Sequence, residues 1–167
     1  MDGELYEYYR GVARGLSDSD DVIRPLGLLN GRYFIRALSI LSPREDLSAS
    51  LLWLVLTLRG TELWGKFDFG VITGHLYIEE RPWRASSKDL KFNWRGRHVD
   101  GRQFRGDDNV GCIIFSGNES IGGMLFYGQN SEDGINGIGF SGTRISGQVT
   151  RSEIPAGEMV RAYDELS

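Results

Sequence analysis

The chain has 167 residues, of which 40% are hydrophobic and 25% are charged, and its formal net charge is −4. This length suits one domain with a substantial core, and the acidic balance argues against a protein that neutralises a nucleic-acid backbone. A single cysteine excludes intrachain disulfides and cysteine-rich zinc sites, and no apolar run approaches the roughly 20 residues of a membrane span. We therefore expect a soluble, cytoplasmic domain that has neither a nucleic-acid partner nor a membrane span.

The first 30 residues predict a short helix and a lead-in to the first strand. Leu5, Tyr8 and Val12 recur at spacings of three and four residues, which is the period of an amphipathic helix. Gly15 and the polar run after it are typical of a helix end. We assign residues 1–30 to this helix and lead-in.

The middle of the chain predicts a β-barrel over residues 31–146. The chain combines 23 glycines with 4 Trp, 7 Tyr and 8 Phe, a composition that favours tight turns and strands. No long helical pattern interrupts the series, so consecutive strands should pair antiparallel and close up-and-down, with a two-sheet sandwich as the alternative. The eight predicted strands span residues 32–40, 50–59, 62–69, 71–79, 90–97, 110–116, 120–127 and 136–145.

The hairpin around Gly70 and Val71 can be given a register from alternation alone. With these two residues as the turn, one face is wholly apolar and is expected to line a dry interior. A shift of one residue would mix the two faces. The apolar pairs are Phe69–Ile72, Phe67–Gly74, Gly65–Leu76 and Leu63–Ile78, and the opposite face pairs Asp68–Thr73, Lys66–His75 and Trp64–Tyr77.

A second hairpin is predicted around Gly117 and Asn118. Taking these two residues as the turn again gives an apolar face, so we expect it to point inward. Cys112 then lies mid-strand among apolar residues, as a buried, inert thiol. The predicted pairs are Ile114–Ile121, Cys112–Gly123 and Val110–Leu125.

Two longer connections and a C-terminal helix complete the predicted domain. The loops at 81–88 and 100–109 are either plain solvated connectors or the rim of a cavity. Capping residues and Pro155 precede an apolar stripe that includes Met159 and Tyr163, which predicts a helix within residues 153–167. We expect this helix to pack on the barrel.

Three motifs resemble a family of filamentous-fungal β-barrel proteins. They are Leu63-Trp-Gly-Lys-Phe-Asp-Phe-Gly70, Glu80-Arg-Pro-Trp83 and Phe92-Asn-Trp-Arg-Gly-Arg97, and the likeness covers residues 27–142. The resemblance implies the barrel fold and no particular activity. More distantly, the hairpin series is similar to the calycin superfamily of lipocalins and fatty-acid-binding proteins. Gly31-Arg32-Tyr33 stands where lipocalins carry Gly-x-Trp, and Arg144 stands for their arginine near the last strand. This likeness implies a small apolar ligand.

One polar cluster carries possible chemistry. If the strands at 71–79 and 90–97 are neighbours, Asp68, His75, Lys66 and Arg95 share one sheet face. A histidine and a carboxylate near two cations could transfer a proton or stabilise an enolate-like charge. The alternative is a solvated, salt-bridged exterior.

Aromatic residues are the candidate ligand-binding set. If helices cover the outer face, Trp64 and Tyr77 lie beneath them; if the lumen is the mixed polar face, the same residues line a pocket. The candidates are Trp64, Phe67, Phe69, Tyr77, Trp83, Phe92, Trp94, Phe115 and Met124.

No metal or cofactor is expected. The two histidines, His75 and His98, lie on different segments without ligand spacing, and no phosphate-binding or nucleophile motif occurs in its required context. The leading hypothesis is therefore a barrel that binds a small hydrophobic organic molecule, with a cofactor-independent cyclase or isomerase of a secondary metabolite as its catalytic form. The alternative is a solid barrel that docks a partner through Trp83 or the 100–109 loop, and both a monomer and a homodimer stay open.

Overall fold

A computed structural model describes residues 26, 29–39, 51–86, 88–117, 119–130, 134–145 and 153–167. Within them the chain forms nine strands and one helix. The elements are β1 Gly31–Ser39, β2 Leu52–Arg59, β3 Glu62–Asp68, β4 Ile72–Ile78, β5 Leu90–His98, β6 Gln103–Phe104, β7 Val110–Phe115, β8 Ser120–Asn130, β9 Gly134–Arg144 and α1 Ala156–Asp164.

Eight of these strands close into an antiparallel barrel, which confirms the predicted fold class. Sheet order is β4-β3-β2-β1-β9-β8-β7-β5, and β4 pairs with β5 to complete the ring. The first and last strands form the seam, where Tyr33 lies opposite Arg144 and Ser39 lies opposite Ile138. All eight predicted strands are present, with ends displaced by up to three residues.

The ninth strand, β6, was not predicted. It has two residues, which pair with Gly96 and Arg97 at the end of β5. Two residues are too few to show a period-two alternation, so the sequence around Phe104 gave no strand signal.

The predicted register of the β3–β4 hairpin is confirmed pair by pair. Phe67 lies opposite Gly74, and Lys66 lies opposite His75. Gly70 takes a φ of +90° at the turn, a conformation that glycine adopts without steric cost, and its N–H donates to Oδ1 of Asp68 over 3.0 Å. Alternation was decisive here because only one face of this hairpin is apolar.

The predicted register of the β7–β8 hairpin is wrong by one residue. Ser116 bonds to Ser120 across the loop, and positive φ values at Gly117 and Glu119 make the connection one residue longer than the predicted turn; Asn118 lies outside the described residues. The observed pairs are Gly111–Leu125, Cys112–Met124, Ile113–Gly123, Ile114–Gly122 and Phe115–Ile121.

The error arose because both faces of β7 are apolar. Ile113 and Ile114 are both buried, so alternation could not choose between the two registers. With the observed register, Ile113 belongs to the interior core, whereas Cys112 lies on the other face of the strand and is half-buried. The prediction of a buried thiol is therefore wrong as well.

The predicted C-terminal helix is present as α1 and packs against the outer face of the barrel. Met159 and Tyr163 of the helix form a small apolar cluster with Val55 and Trp64 of the wall. Thr57 Oγ1 donates to the carbonyl of Ile154 just before the helix over 2.8 Å.

The predicted N-terminal helix lies outside the described residues. No helix in the described part of the chain is long and apolar enough to cross a membrane.

Candidate functional site

The outer face of the wall carries a grid of polar residues on β3, β4 and β5. Lys66 lies opposite His75, and His75 lies opposite Arg95 on the next strand. Asp68 lies at the end of β3 on the same face. The prediction that these four residues share one sheet face is therefore confirmed, and that face is the outer one, beneath and beside α1.

An open cleft of about 280 Å³ lies between the barrel wall and α1, and we call it the wall cleft. Its walls combine charged, aromatic and small side chains. Three of the four predicted catalytic residues, Asp68, Lys66 and His75, contribute to it. The lining residues are Trp53, Lys66, Phe67, Asp68, Thr73, Gly74, His75, Gly96, Arg97, Ala162, Glu165 and Leu166.

His75 is a neutral imidazole in this cleft. Partial burial, together with the ammonium of Lys66 on the opposite strand, lowers its pKa to about 4. At neutral pH the ring therefore offers one N–H donor and one acceptor and carries no charge.

The two cations of the cleft, Lys66 and Arg97, form no ion pair with any described carboxylate. Both side chains are exposed. The positive charge is therefore available to a bound molecule.

Arg95 has a different role from the other three predicted residues. Its guanidinium donates to the carbonyls of Gly106 and Tyr163 and to Oδ1 of Asp107, at 2.8 to 2.9 Å. It also stacks 4.0 Å from the centroid of the Tyr163 ring. These contacts attach α1 and the 103–107 segment to the wall. Arg95 is therefore an anchoring residue and does not line the cleft.

Asp68 does not form a dyad with His75. Its Oδ1 accepts a hydrogen bond from the Gly70 N–H of the turn, and none of the described hydrogen bonds joins its carboxylate to the imidazole. The two residues lie on neighbouring strands but are diagonal in register, since His75 faces Lys66 and Asp68 faces Thr73. A carboxylate-oriented histidine is therefore not the arrangement of this site.

The nine candidate ligand-binding residues do not form one site. Five of them, Phe67, Phe69, Phe92, Trp94 and Phe115, point into the interior. Trp64 and Tyr77 lie beneath α1 on the outer face, with ring centroids 4.6 Å apart. Trp83 is 66% exposed beside Arg81, and Met124 is buried but lies outside the interior cluster. Only Phe67 also reaches the wall cleft.

The interior aromatic rings pack on one another. Ring centroids are 4.6 Å apart for Phe67 and Phe69, 4.8 Å for Phe69 and Phe140, and 5.0 Å for Trp94 and Phe104. Trp94 Nε1 donates to the carbonyls of Val110 and Phe126. These are the contacts of a hydrophobic core, and the described part of the lumen is filled by side chains at this level.

A second polar group closes one end of the barrel. Arg144 is buried, donates through Nε to the Asn30 carbonyl over 2.9 Å and lies 3.7 Å from a Glu119 carboxylate oxygen. Burial raises the pKa of the neighbouring Tyr33 hydroxyl, which donates to the Leu29 carbonyl. A cavity of about 50 Å³ adjoins this end. It has room for water-sized molecules and no more.

The 100–109 loop is not a free lid. The Gly106 N–H donates to the Leu166 carbonyl over 3.0 Å, and Arg105 reaches the Glu165 carbonyl. Together with the Arg95 contacts, these bonds attach the loop to the end of α1. Among the described residues there is no group of three or more side chains suited to hold a metal ion.

Several cleft residues were not assigned to a site from the sequence. Arg97 is two residues from Arg95 on β5 and therefore lies on the same sheet face. This alternation was sufficient to predict Arg97 as a site residue. Trp53 could have been added by extending the register to β2, where it lies opposite Asp68. Ala162 and Glu165 had no signal, because only the docking of α1 brings them to this wall.

No family model, curated protein or solved structure matches the chain. The geometry of the described residues is therefore the basis for assigning a function.

Proposed function

We propose that this β-barrel binds a small organic molecule, and that the wall cleft holds it. The cleft between the wall and α1 is about 280 Å³, which is just below the roughly 300–1,000 Å³ of typical small-molecule sites. It combines apolar surface from Trp53, Ala162 and Leu166 with a few polar groups, the usual make-up of such a site. This observation carries the proposal.

The wall cleft fits this role better than the lumen does. Trp94, Phe67 and Phe69 are fully buried in mutual contact, so a ligand at that level would have to displace core side chains. Such displacement costs several kcal/mol, on the order of a large-to-small core substitution. The cleft needs no comparable rearrangement.

The experiment is a binding titration with three fragments that share a naphthalene body. They are 1-naphthamide, 1-naphthoate and 1-naphthylmethylamine, which are neutral, negative and positive near neutral pH. Saturation-transfer NMR and calorimetry would detect binding of at least one fragment. Ala162→Trp, which fills the cleft from the helix side, should abolish that binding.

Arg161→Trp is the matched control, since Arg161 is the exposed neighbour of Ala162 on α1 and does not line the cleft. It should bind the fragments as the unmodified protein does. No binding of any fragment to the unmodified protein, or equal binding by the Ala162→Trp variant, would contradict the proposal.

A cofactor-independent isomerase or cyclase is the catalytic form of the same proposal. Neutral His75 could accept a proton from a bound carbon acid, and the Lys66 ammonium could stabilise the resulting negative charge. Incubation with a metabolite extract separates the two forms: a carrier returns its ligand unchanged, and an enzyme yields a new product that disappears with His75→Gln.

A protein-interaction module is the competing proposal, and Trp83 favours it. The ring is 66% exposed, whereas Trp64 and Trp94 are buried. If this surface docks a second copy of the chain, the Trp83 emission should be shielded from acrylamide at high protein concentration. The Trp83→Ser variant should then elute as a smaller species in size-exclusion chromatography.

A further inference from the structure

Three hydrogen-bond donors line the wall cleft on three adjacent strands. Lys66 lies on β3, His75 on β4 and Arg97 on β5. Lys66 is directly opposite His75, and Arg97 is opposite Thr73, two residue pairs further along the β4–β5 ladder and on the same face. Two spacings of about 4.8 Å between neighbouring strands and a two-residue step of about 6.7 Å along the strand place the two cationic residues about 12 Å apart. Long side chains can reach one shared group across that distance.

Two of these three donors, Lys66 and Arg97, carry a positive charge. Lys66 and Arg97 each lack an ion pair with a described carboxylate, and His75 between them is uncharged at neutral pH. A neutral imidazole between two cations contributes an N–H donor without adding like-charge repulsion. Charge-assisted hydrogen bonds from lysine and arginine to a carboxylate are about twice as strong as neutral ones.

The cleft also contains two carboxylates, Asp68 and Glu165. Asp68 is the last residue of β3, and one of its oxygens already accepts the Gly70 N–H. Glu165 follows α1 and is exposed to solvent. Asp68 is in the same row of the strand grid as Arg97, with Thr73 between them, and neither carboxylate lies on β4, the strand between the two cations.

The remaining surface suits an apolar body. Trp53 is half-buried on β2, α1 contributes Ala162, and Leu166 follows the helix. The Arg32 guanidinium lies 4.7 Å from the Trp53 ring centroid, so this aromatic side chain is held in place by a contact outside the cleft. A molecule with one anionic end and one apolar end would use both parts of the cleft.

We infer that the ligand class of the wall cleft is a small organic acid, whose carboxylate is bound by Lys66 and Arg97 with His75 between them and whose apolar body packs on Trp53 and α1. The inference rests on the proposed function and specifies its substrate class.

The charge of the naphthalene fragments tests it directly. We expect 1-naphthoate to bind about tenfold more tightly than 1-naphthamide, the preference that one or two charge-assisted hydrogen bonds provide in an open cleft. The preference should shrink several-fold when salt is raised from 0.05 to 0.5 M, because exposed charges are screened over about 10 Å at 0.1 M.

Single-charge variants locate the carboxylate. Lys66→Gln and Arg97→Gln should each remove most of the preference for 1-naphthoate while 1-naphthamide binds as before. Lys91→Gln is the matched control, an exposed lysine on β5 that does not line the cleft, and it should keep the full preference.

The outcomes separate this inference from the proposed function. Equal binding of 1-naphthoate and 1-naphthamide, tighter binding of 1-naphthylmethylamine, or a preference unchanged by both glutamine variants would overturn the organic-acid inference and leave a general small-molecule site. Absence of binding by all three fragments would overturn both.

Discussion

The two faces of the β3–β4 hairpin differ sharply although they share the same backbone. Inward, Leu63, Phe67 and Leu76 are fully buried in the interior core. Outward, Lys66 and His75 line an open cleft, and Trp64 is buried beneath α1. A period-two alternation over seven residues is therefore enough to place a core on one side and a candidate site on the other.

This difference means that the two faces have different tolerance to substitution. Inward side chains contact one another across the barrel, so a change in volume is felt by several neighbours. Outward side chains are positioned by the same rigid strands but contact solvent and one helix. The site can therefore change in chemistry without repacking the fold.

The largest expected effect is truncation of the interior ring of Trp94. Trp94→Ala should lower the free energy of unfolding by about 3–5 kcal/mol, because the side chain is fully buried and its indole N–H is hydrogen-bonded. Urea denaturation measures the change. Trp53→Ala, on the outer face, should cost about 1 kcal/mol or less while weakening 1-naphthoate binding. Similar costs for the two variants would contradict the comparison.

A methyl group added between β4 and β5 should be the next most damaging change. A Cβ at Gly74 would lie 2.2 Å from the Arg95 carbonyl oxygen, and backbone atoms cannot yield as a flexible side chain can. Gly74→Ala should cost about 2–3 kcal/mol by thermal or urea unfolding. Gly157→Ala in α1, where nothing lies within 4 Å, should be neutral or stabilising by about 0.5–1 kcal/mol.

Two arginines on the same strand and the same face should respond differently. Arg95→Gln removes three hydrogen bonds and the stacking on Tyr163, so we expect a loss of about 2 kcal/mol and earlier detachment of α1. Arg97→Gln removes no described ion pair and should change stability by less than about 0.5 kcal/mol. Hydrogen exchange of α1 amides distinguishes the two variants; equal protection in both would count against the anchoring role of Arg95.

The smallest expected effect is a pH dependence of the free energy of unfolding, caused by His75 on the outer face. An unfolded histidine titrates near 6.5, whereas the folded pKa of His75 is about 4. Between about pH 4 and 6.5 the unfolded state binds more protons than the folded state does. The contribution of His75 to stability is therefore complete above about pH 6.5 and is lost as the pH falls towards 4. Because the ring is only partly buried, we expect about 1–2 kcal/mol.

The test is urea unfolding between pH 4 and 7. His75→Gln should reduce the slope of stability against pH, and His98→Gln should retain the contribution of His75. An unchanged slope in the His75 variant would show that the imidazole is not kept neutral by the fold.

The sequence predicted the barrel and one hairpin well, for a physical reason. At Leu63 to Ile78, one face is apolar and the other is not, so a single register satisfies burial. At β7, Ile113 and Ile114 are both buried, and the sequence contains no preference that could fix the register. The loop length decided it instead.

The candidate site was predictable only in part. Strand parity placed Asp68, Lys66 and His75 on one face, and the pairing of β4 with β5 brought Arg95 and Arg97 alongside. The difference between the two arginines could not be predicted, because it depends on where α1 docks. For the same reason, the local sequence does not predict which residues α1 contributes to the cleft.

The seam between the first and last strands has a consequence for biosynthesis. Tyr33 pairs with Arg144, so the barrel cannot close until more than a hundred further residues have been translated. Contacts of such high sequence separation form late and slowly. Until then, the ribosome-bound nascent chain would expose two unpaired strand edges, at which chaperones or neighbouring chains could bind.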